Sequence, residues 1–317
     1  MSFFEVVRDY FERQPLVQEW GQMAETVRLV AGGGPQVWKL PLHAAAALGG
    51  GLEVALPAIG AVGCAQISIT LIDDMLDEDA HGLHQRLGMP ASANLAAGFQ
   101  ALGAHMLAES PAGAHADVQA AYANLHGRTA YGQHLDVQNP ADEAGYWTMV
   151  ACKSATFYGE AFYLGARLAG ATPDTAAGLR RLWGMYGEII QIHDDMKDSL
   201  ATPAEPDWLL RRLPLPVLFA SVVEHPQRAR FEDLRQQPED PAALEEAQRI
   251  LLSCGAISYC LNEVTERWRA ARALLAKLVL PEPTGLENML DGTVQPVAEL
   301  LKIAGVPEVQ AAAVVAV

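Results

Sequence analysis

The sequence predicts an all-α protein, a large helical bundle. Long Ala- and Leu-rich stretches with helical spacing dominate, runs of alternating Val, Ile and Thr are nearly absent, and short Gly/Pro-type breaks separate the stretches. Helix after helix is apolar over more than one stripe, as for spans buried in the middle of a bundle.

The first break is "GGGP" (32–35), which ends an N-terminal helical region. Residues 54–72, "VALPAIGAVGCAQISITLI", follow as the most apolar stretch. Pro57, Gln66, Ser68 and Thr70 interrupt them and acid follows at once, so they read as a buried helix of a soluble protein, with no transmembrane span. That helix stops at "EDAHGLHQRLGMP" (78–90). Further breaks at "ESPAGAH" (109–115), "NPADEAG" (139–145), "GATPD" (170–174), "LATPAEPD" (200–207), "QQPEDP" (236–241) and "PEPTG" (281–285) leave helices of ordinary to long length with short connections. No break resembles an interdomain linker, so residues 1–317 read as one domain.

Half of the 317 residues are hydrophobic, enough for a sizeable core. The opening "MSFFEVVRDYFERQ" carries Glu5, Asp9 and Glu12 where a secretory signal needs a basic and then an apolar region, which places the protein in the cytoplasm. Cys64, Cys152, Cys254 and Cys260 show no CxxC spacing and read as reduced thiols. A net charge of −16 excludes nucleic acid as a partner, because no basic stripe is available to neutralise phosphates.

The chemistry concentrates in two acidic motifs. Asp73, Asp74 and Asp77 form Asp-Asp-x-x-Asp at the end of the apolar run; on a helix, positions i and i+4 share a face and i+1 lies nearby. Like charges at that spacing cost roughly 0.2–0.5 kcal/mol per pair, and acid at a helix C-terminus opposes the macrodipole. Such a conflict points to a ligand that neutralises it. Asp194, Asp195 and Asp198 repeat the spacing after "LWGMYGEIIQI". Carboxylates without His or Cys neighbours suit a hard cation, and Mg²⁺ binds one or two of them together with waters and substrate phosphates. Two such clusters imply several Mg²⁺ ions holding a diphosphate. His193, one position from the second motif, faces elsewhere, and Lys197 either pairs with its neighbouring aspartates or reaches a phosphate.

With these motifs the chain resembles the trans-isoprenyl diphosphate synthases, or polyprenyl synthetases, of the all-α isoprenoid synthase fold, from about "VAGGGPQVWKLPLHAAAALGG" to "RRLPLPVLFA". The resemblance implies that the two Asp-rich motifs face each other across a central cavity and bind an allylic prenyl diphosphate through Mg²⁺, as three ions. Residue by residue, "YGQHLD" matches the family's Gly-Gln-x-x-Asp helix and implicates Gln133 and Asp136. "YWTMVACKSATFYGEAFYLGARLAGA" matches the helix whose Lys-Thr pair touches the donor diphosphate, implicating Lys153 and Ser154. Gln191 matches the glutamine before the second motif, Arg212 the diphosphate lysine, and Arg86 in "RLGMP" the first loop arginine. Ser68 and Ile69, a turn before the first motif, fall where the family sets cavity depth. The family is commonly homodimeric.

The departures are equally ordered. The family's Gly-Lys-Arg-x-Arg-Pro, which binds isopentenyl diphosphate, reads Gln36, Val37, Trp38, Lys39, Leu40, Pro41 here. The second loop arginine is Leu87, and the family histidine before the first motif is Gln66. A desolvated diphosphate needs charge-assisted partners, which apolar walls do not offer. Trp38 either packs in the core or faces an organic acceptor or carbocation. The leading expectation is therefore a divergent member resembling terpene synthases built on this scaffold, ionising a prenyl diphosphate and cyclising or eliminating without isopentenyl diphosphate. The alternatives are prenyl transfer to another acceptor such as a peptide tryptophan, genuine chain elongation, and a non-catalytic partner subunit of a synthase.

Overall fold

The computed structural model describes residues 1–294, and every regular element among them is helical. In chain order the helices are α1 (Phe3–Glu12), α2 (Pro15–Glu19), α3 (Gly21–Gly33), α4 (Leu40–Ala46), α5 (Leu52–Leu76), α6 (His84–Leu87), α7 (Met89–Ala108), α8 (Ala116–Val137) and α9 (Glu143–Val150). They continue with α10 (Thr156–Leu168), α11 (Pro173–Leu200), α12 (Pro206–Leu209), α13 (Leu215–Val222), α14 (Arg228–Leu234), α15 (Pro241–Ser253), α16 (Ala256–Leu275) and α17 (Thr284–Gly292). A 3₁₀ turn at Gln36–Lys39 precedes α4, and a π-helical turn at Ala151–Ala155 joins α9 to α10.

The chain forms two compact units. The first comprises Met1–Ala130, Thr156–Trp183 and Leu275–Leu286; the second comprises Tyr131–Ala155, Gly184–Leu274 and Glu287–Val317, of which residues up to 294 are described.

In the first unit α5 is the axis. It starts at Gly51 without a side-chain cap and carries Pro57 in its second turn, where the missing N–H leaves a partner lacking only for the Glu53 carbonyl near the helix start. It is the one helix among the described residues long and apolar enough to cross a membrane, and 67% of its most apolar stretch is buried inside the protein. Helix α10 approaches α4 closely because Gly165 lies against the Pro41 backbone, where any Cβ would collide.

The core of this unit gathers Phe11, Met23, Trp38, Ile59, Ile67, Leu95, Phe99 and Met106. Trp38 is fully buried, its ring 5.6 Å from that of Phe11 and 6.4 Å from that of Phe4, and its Nε1 donates to Gln66 Oε1 at 3.3 Å. The 3₁₀ turn directs it inward, so Trp38 is a core residue and offers no face to an acceptor. In the second unit one cluster joins Tyr146, Val150, Ile189, Ile192, Met196, Leu215, Leu218 and Val264, and another joins Trp208, Phe231, Leu244 and Leu251. All four cysteines are free, and three are buried.

Trp38→Ala is expected to destabilise the first unit by about 3–5 kcal/mol, the cost of emptying a large aromatic site. Chemical denaturation followed by circular dichroism measures it, and a loss under about 1 kcal/mol would contradict the packing role.

Candidate active site

The first acidic motif sits in the last turn of α5. Asp73 and Asp74 are helical, Asp77 is the C-cap with its N–H on the Asp73 carbonyl at 2.9 Å, and Glu78 turns the chain away in the left-handed region (φ 53°). All three aspartates are half-buried. Burial, then the Asp79 and Asp73 charges, push the Asp74 carboxyl above its ordinary range.

Beside this turn the first unit holds a cavity of about 200 Å³ lined by Thr26, Leu29 and Val30 of α3, Gln66, Ile67, Thr70, Leu71 and Asp74 of α5, and His81 and Leu83 of the loop. Its α5 wall carries a polar row at i, i+4 and i+8, within which Gln66 Nε2 donates to Thr70 Oγ1 at 3.0 Å. Ser68 lies behind that wall: it is fully buried and accepts from Gln100 Nε2 at 3.0 Å. Ile69 is half-buried. Arg86 is exposed and pairs with Glu25 of α3 at 2.7 Å, whereas Leu87 packs half-buried on the core. Lys39 bonds Gln36 Oε1 and lies 5.3 Å from the Phe4 ring centre.

The second motif falls two turns before the end of α11. Asp194 is exposed and Asp198 half-buried, while Asp195 is only 4% exposed. Asp195 Oδ2 accepts from Tyr146 Oη at 2.7 Å and from the Leu215 N–H at 2.8 Å; its Oδ1 accepts from Gln191 Nε2 at 2.8 Å. Burial pushes this carboxyl up to about 6 against the opposing pull of those three donors. Although its side chain reaches the surface, desolvation by the atoms packed around it and then the Asp198 charge raise Asp194, with Lys197 opposing. His193 does face away, its Nε2 donating to the Thr293 carbonyl at 2.8 Å, and Lys197 lies 3.5 Å from Asp198.

Around this motif the second unit gathers the sequence-predicted cations. Lys153 Nζ is 2.7 Å and Arg212 Nη1 3.1 Å from Asp136 Oδ2. Ser154 donates to Gln191 Oε1, and Gln133 is buried on the same helix as Asp136. Lys153 and Ser154 ride on the π-helical turn, a device that often marks functional positions. The turn lies so close to α8 that a Cβ on Gly132 would stand 2.5 Å from the Lys153 nitrogen. Asp207, which the sequence did not single out, joins this group. Burial, then the Asp195 and Asp136 charges, push its carboxyl up to about 7, with Arg212 and Lys153 opposing. Its only signal in the sequence is its place shortly before Arg212.

The donor set fits Mg²⁺: hard carboxylate oxygens, several of them held above their ordinary range by burial and like charge that a divalent cation would offset. Among the described residues no three His, Cys, Asp or Glu side chains converge on one ion position.

The polyprenyl synthetase family matches residues 32–251, which contain both acidic motifs, the π-helical turn and Arg212. The chain belongs to this family. No curated protein matches the sequence. Among solved structures this polyprenyl synthetase family member is similar to the geranylgeranyl pyrophosphate synthetase of the archaeon Geoglobus acetivorans (22% identity, TM-score 0.76, covering 92% of this chain and 96% of that one). It is also similar to a decaprenyl diphosphate synthase of Rhodobacter capsulatus (20%, 0.80, 92% and 94%). A third is the geranylgeranyl pyrophosphate synthase of Corynebacterium glutamicum complexed with calcium and isoprenyl diphosphate (23%, 0.76, 93% and 94%). These likenesses establish the fold. The expectation of terpene-synthase-like conversion without isopentenyl diphosphate is corrected by them: the family and its structural counterparts are polyprenyl and geranylgeranyl diphosphate synthases. The chain is accordingly an isoprenoid enzyme of the transferase type.

Gly132→Ala drives a methyl group into the Lys153 backbone, at a cost of about 1–3 kcal/mol for overpacking. A lowered Tm with a weakened response to diphosphate checks it. A second expectation concerns pH. Asp207 binds its proton more tightly folded than unfolded, so its stabilising contribution is full below the ordinary carboxylate range and is lost as pH rises through about 7. Asp207→Asn should therefore gain Tm relative to wild type as pH is raised from 5 to 8, by about 1–4 °C in a chain of this size; an unchanged difference across that range counts against the raised Asp207 carboxyl.

Proposed function

We propose that the chain is a Mg²⁺-dependent, chain-elongating prenyl diphosphate synthase. It joins an allylic prenyl diphosphate to isopentenyl diphosphate and releases diphosphate. The observation that carries this reading is the family match across residues 32–251, which spans both acidic triads and their accompanying cations.

Several Mg²⁺ ions, three on this reading, supply charge neutralisation of the donor diphosphate and so favour its departure. The chain's own residues do the rest. Asp73, Asp74, Asp77, Asp194 and Asp198 offer carboxylate oxygens. Lys153 and Arg212, held on Asp136 in the free protein, exchange that carboxylate for diphosphate oxygens. Arg86 does the same from Glu25. Apolar helix faces exclude water from the allylic cation, which would otherwise be quenched. The cavity beside Asp74 is the place for the five-carbon acceptor, with Leu29, Val30, Ile67 and Leu83 against its hydrocarbon and Thr26, Gln66, Thr70 and His81 as polar contacts.

This reading takes the enzyme as a cytoplasmic homodimer. Exposed small residues support it: Ala93, Ala97, Ala101 and Ala108 on α7, and Ala116, Ala120, Ala123 and Gly127 on α8, leave two helix faces on which a second copy can pack closely.

The deciding experiment incubates the enzyme with Mg²⁺, isotopically labelled isopentenyl diphosphate and geranyl, farnesyl or geranylgeranyl diphosphate in turn, with mass spectrometry of the products. A diphosphate longer by one or more labelled C5 units is expected. Hydrocarbon formed from a donor alone, at the same rate with and without isopentenyl diphosphate, would overturn the proposal. Because Val37, Trp38, Leu40 and Leu87 stand where the family keeps acceptor cations, the KM for isopentenyl diphosphate should exceed that for the donor by about tenfold, the equivalent of one lost charge-assisted contact.

A further inference from the structure

Asp195 and its neighbours Asp194 and Asp198 look equivalent in sequence, but the structure separates them. A carboxylate has about four lone-pair directions. Three of those on Asp195 are taken by Tyr146 Oη, the Leu215 N–H and Gln191 Nε2, at 2.7, 2.8 and 2.8 Å. The residue is 4% exposed, and Tyr146, which covers it, is 1% exposed. Asp194 is exposed, and the Asp198 side chain keeps 35% of its surface.

We propose that Asp195 is a positioning residue rather than a metal ligand, a buckle that sets the diphosphate-binding turn, and that Tyr146 holds it closed. The proposal rests on the function proposed above. The network fastens three elements of the second unit to α11, two of them directly and one through Gln191, which lies on α11 itself one turn before Asp195. Tyr146 ties α9. Gln191, itself accepting from Ser154, ties the π-helical turn, in which the residue before Ser154, Lys153, reaches Asp136. The Leu215 N–H is an orphan donor in the first turn of α13, a helix with no side-chain cap of its own, so Asp195 supplies from α11 both the missing acceptor and a favourable negative charge. Breaking the buckle loosens Lys153 and Ser154 without removing a charge that faces the metal.

The test is calorimetric binding of inorganic pyrophosphate to the full chain at a series of Mg²⁺ concentrations, with Tm recorded alongside. Asp194→Asn should raise the Mg²⁺ midpoint by about tenfold or more, the loss of one carboxylate ligand. Asp195→Asn should move it by less than about threefold, because the asparagine oxygen still accepts while Gln191 and Ser154 reverse their donor roles. Tyr146→Phe should leave the midpoint in place yet weaken pyrophosphate binding by about three- to tenfold, the worth of one positioning hydrogen bond. An Asp195→Asn midpoint shifted as far as that of Asp194→Asn overturns the assignment. So does a Tyr146→Phe protein with lowered Tm and wild-type pyrophosphate affinity, which also serves should the Asp195 variant fail to fold. Wild-type protein that binds no pyrophosphate at any Mg²⁺ concentration is a different failure, that of the proposed function itself.

Discussion

The electrostatic conflict of carboxylates gathered at the end of an apolar helix is the constraint on which the rest of the structure turns. Each unit answers it differently. At the end of α5 the chain leaves through Glu78 in the left-handed region and keeps Asp73, Asp74 and Asp77 half-buried, with Asp74 above its ordinary range. In α11 one carboxylate of three sinks, and donors from two other elements and from Gln191 one turn earlier on the same helix meet it, which relieves the cost of burial by hydrogen bonding instead of solvent. One sequence pattern thus has two physical solutions, and only the second doubles as a tie between helices.

The cations show the complementary logic. In a chain of net charge −16 those implicated in diphosphate binding already have acid partners: Lys153 and Arg212 on Asp136, Arg86 on Glu25. On the proposed function a diphosphate bound there would exchange one carboxylate for phosphate oxygens, so the gain would be the difference between two ion pairs rather than the worth of one. For the exposed Arg86–Glu25 pair that difference is small, and on the proposed function a divalent cation on the acidic residues would make the larger contribution to affinity. The pairing also keeps Lys153 and Arg212 convergent on Asp136, which on the proposed function would lower the ordering cost of binding.

Most of the helical organisation was legible in the sequence because its breaks use residues with local physical meaning. Gly34 (φ 66°), Gly88 (φ 81°) and Gly170 (φ 87°) adopt backbone conformations that side-chain-bearing residues avoid, and each lies in a segment that reads as a break. Gly49 and Gly255, also at positive φ, do not read as breaks because they lie inside Ala- and Leu-rich stretches. The acidic triads were legible by spacing, and the other candidate ligands only through the resemblance to the family. The direction of Trp38 was not: a 3₁₀ turn rotates side chains by a different step from an α-helix, and nothing local announces it. Nor was the π-helical turn at Ala151–Ala155, whose extra residue per turn leaves no periodic trace in so short a span. Asp207 and Tyr146 escape notice because their roles come from partners distant in sequence, and an isolated acid in a loop or an aromatic in a helix has an ordinary explanation nearer at hand.

The misreading of the acceptor side has the same root. Missing cations at Val37, Trp38, Leu40 and Leu87 suggest a missing substrate, yet a diphosphate is neutralised by whatever donors the folded chain assembles. The cavity beside Asp74 brings Thr26 from α3, Gln66 and Thr70 from α5 and His81 from the loop into one lining, a grouping that no single stretch of sequence contains. Neutral donors each contribute less than a guanidinium, roughly 0.5–1.5 kcal/mol against 1.5–3 kcal/mol for a charged group. Several together can hold what one arginine held, at lower affinity. Loss of a family's cations therefore bears first on how tightly an acceptor is held, and only the sum over all groups facing it bears on whether it is held at all.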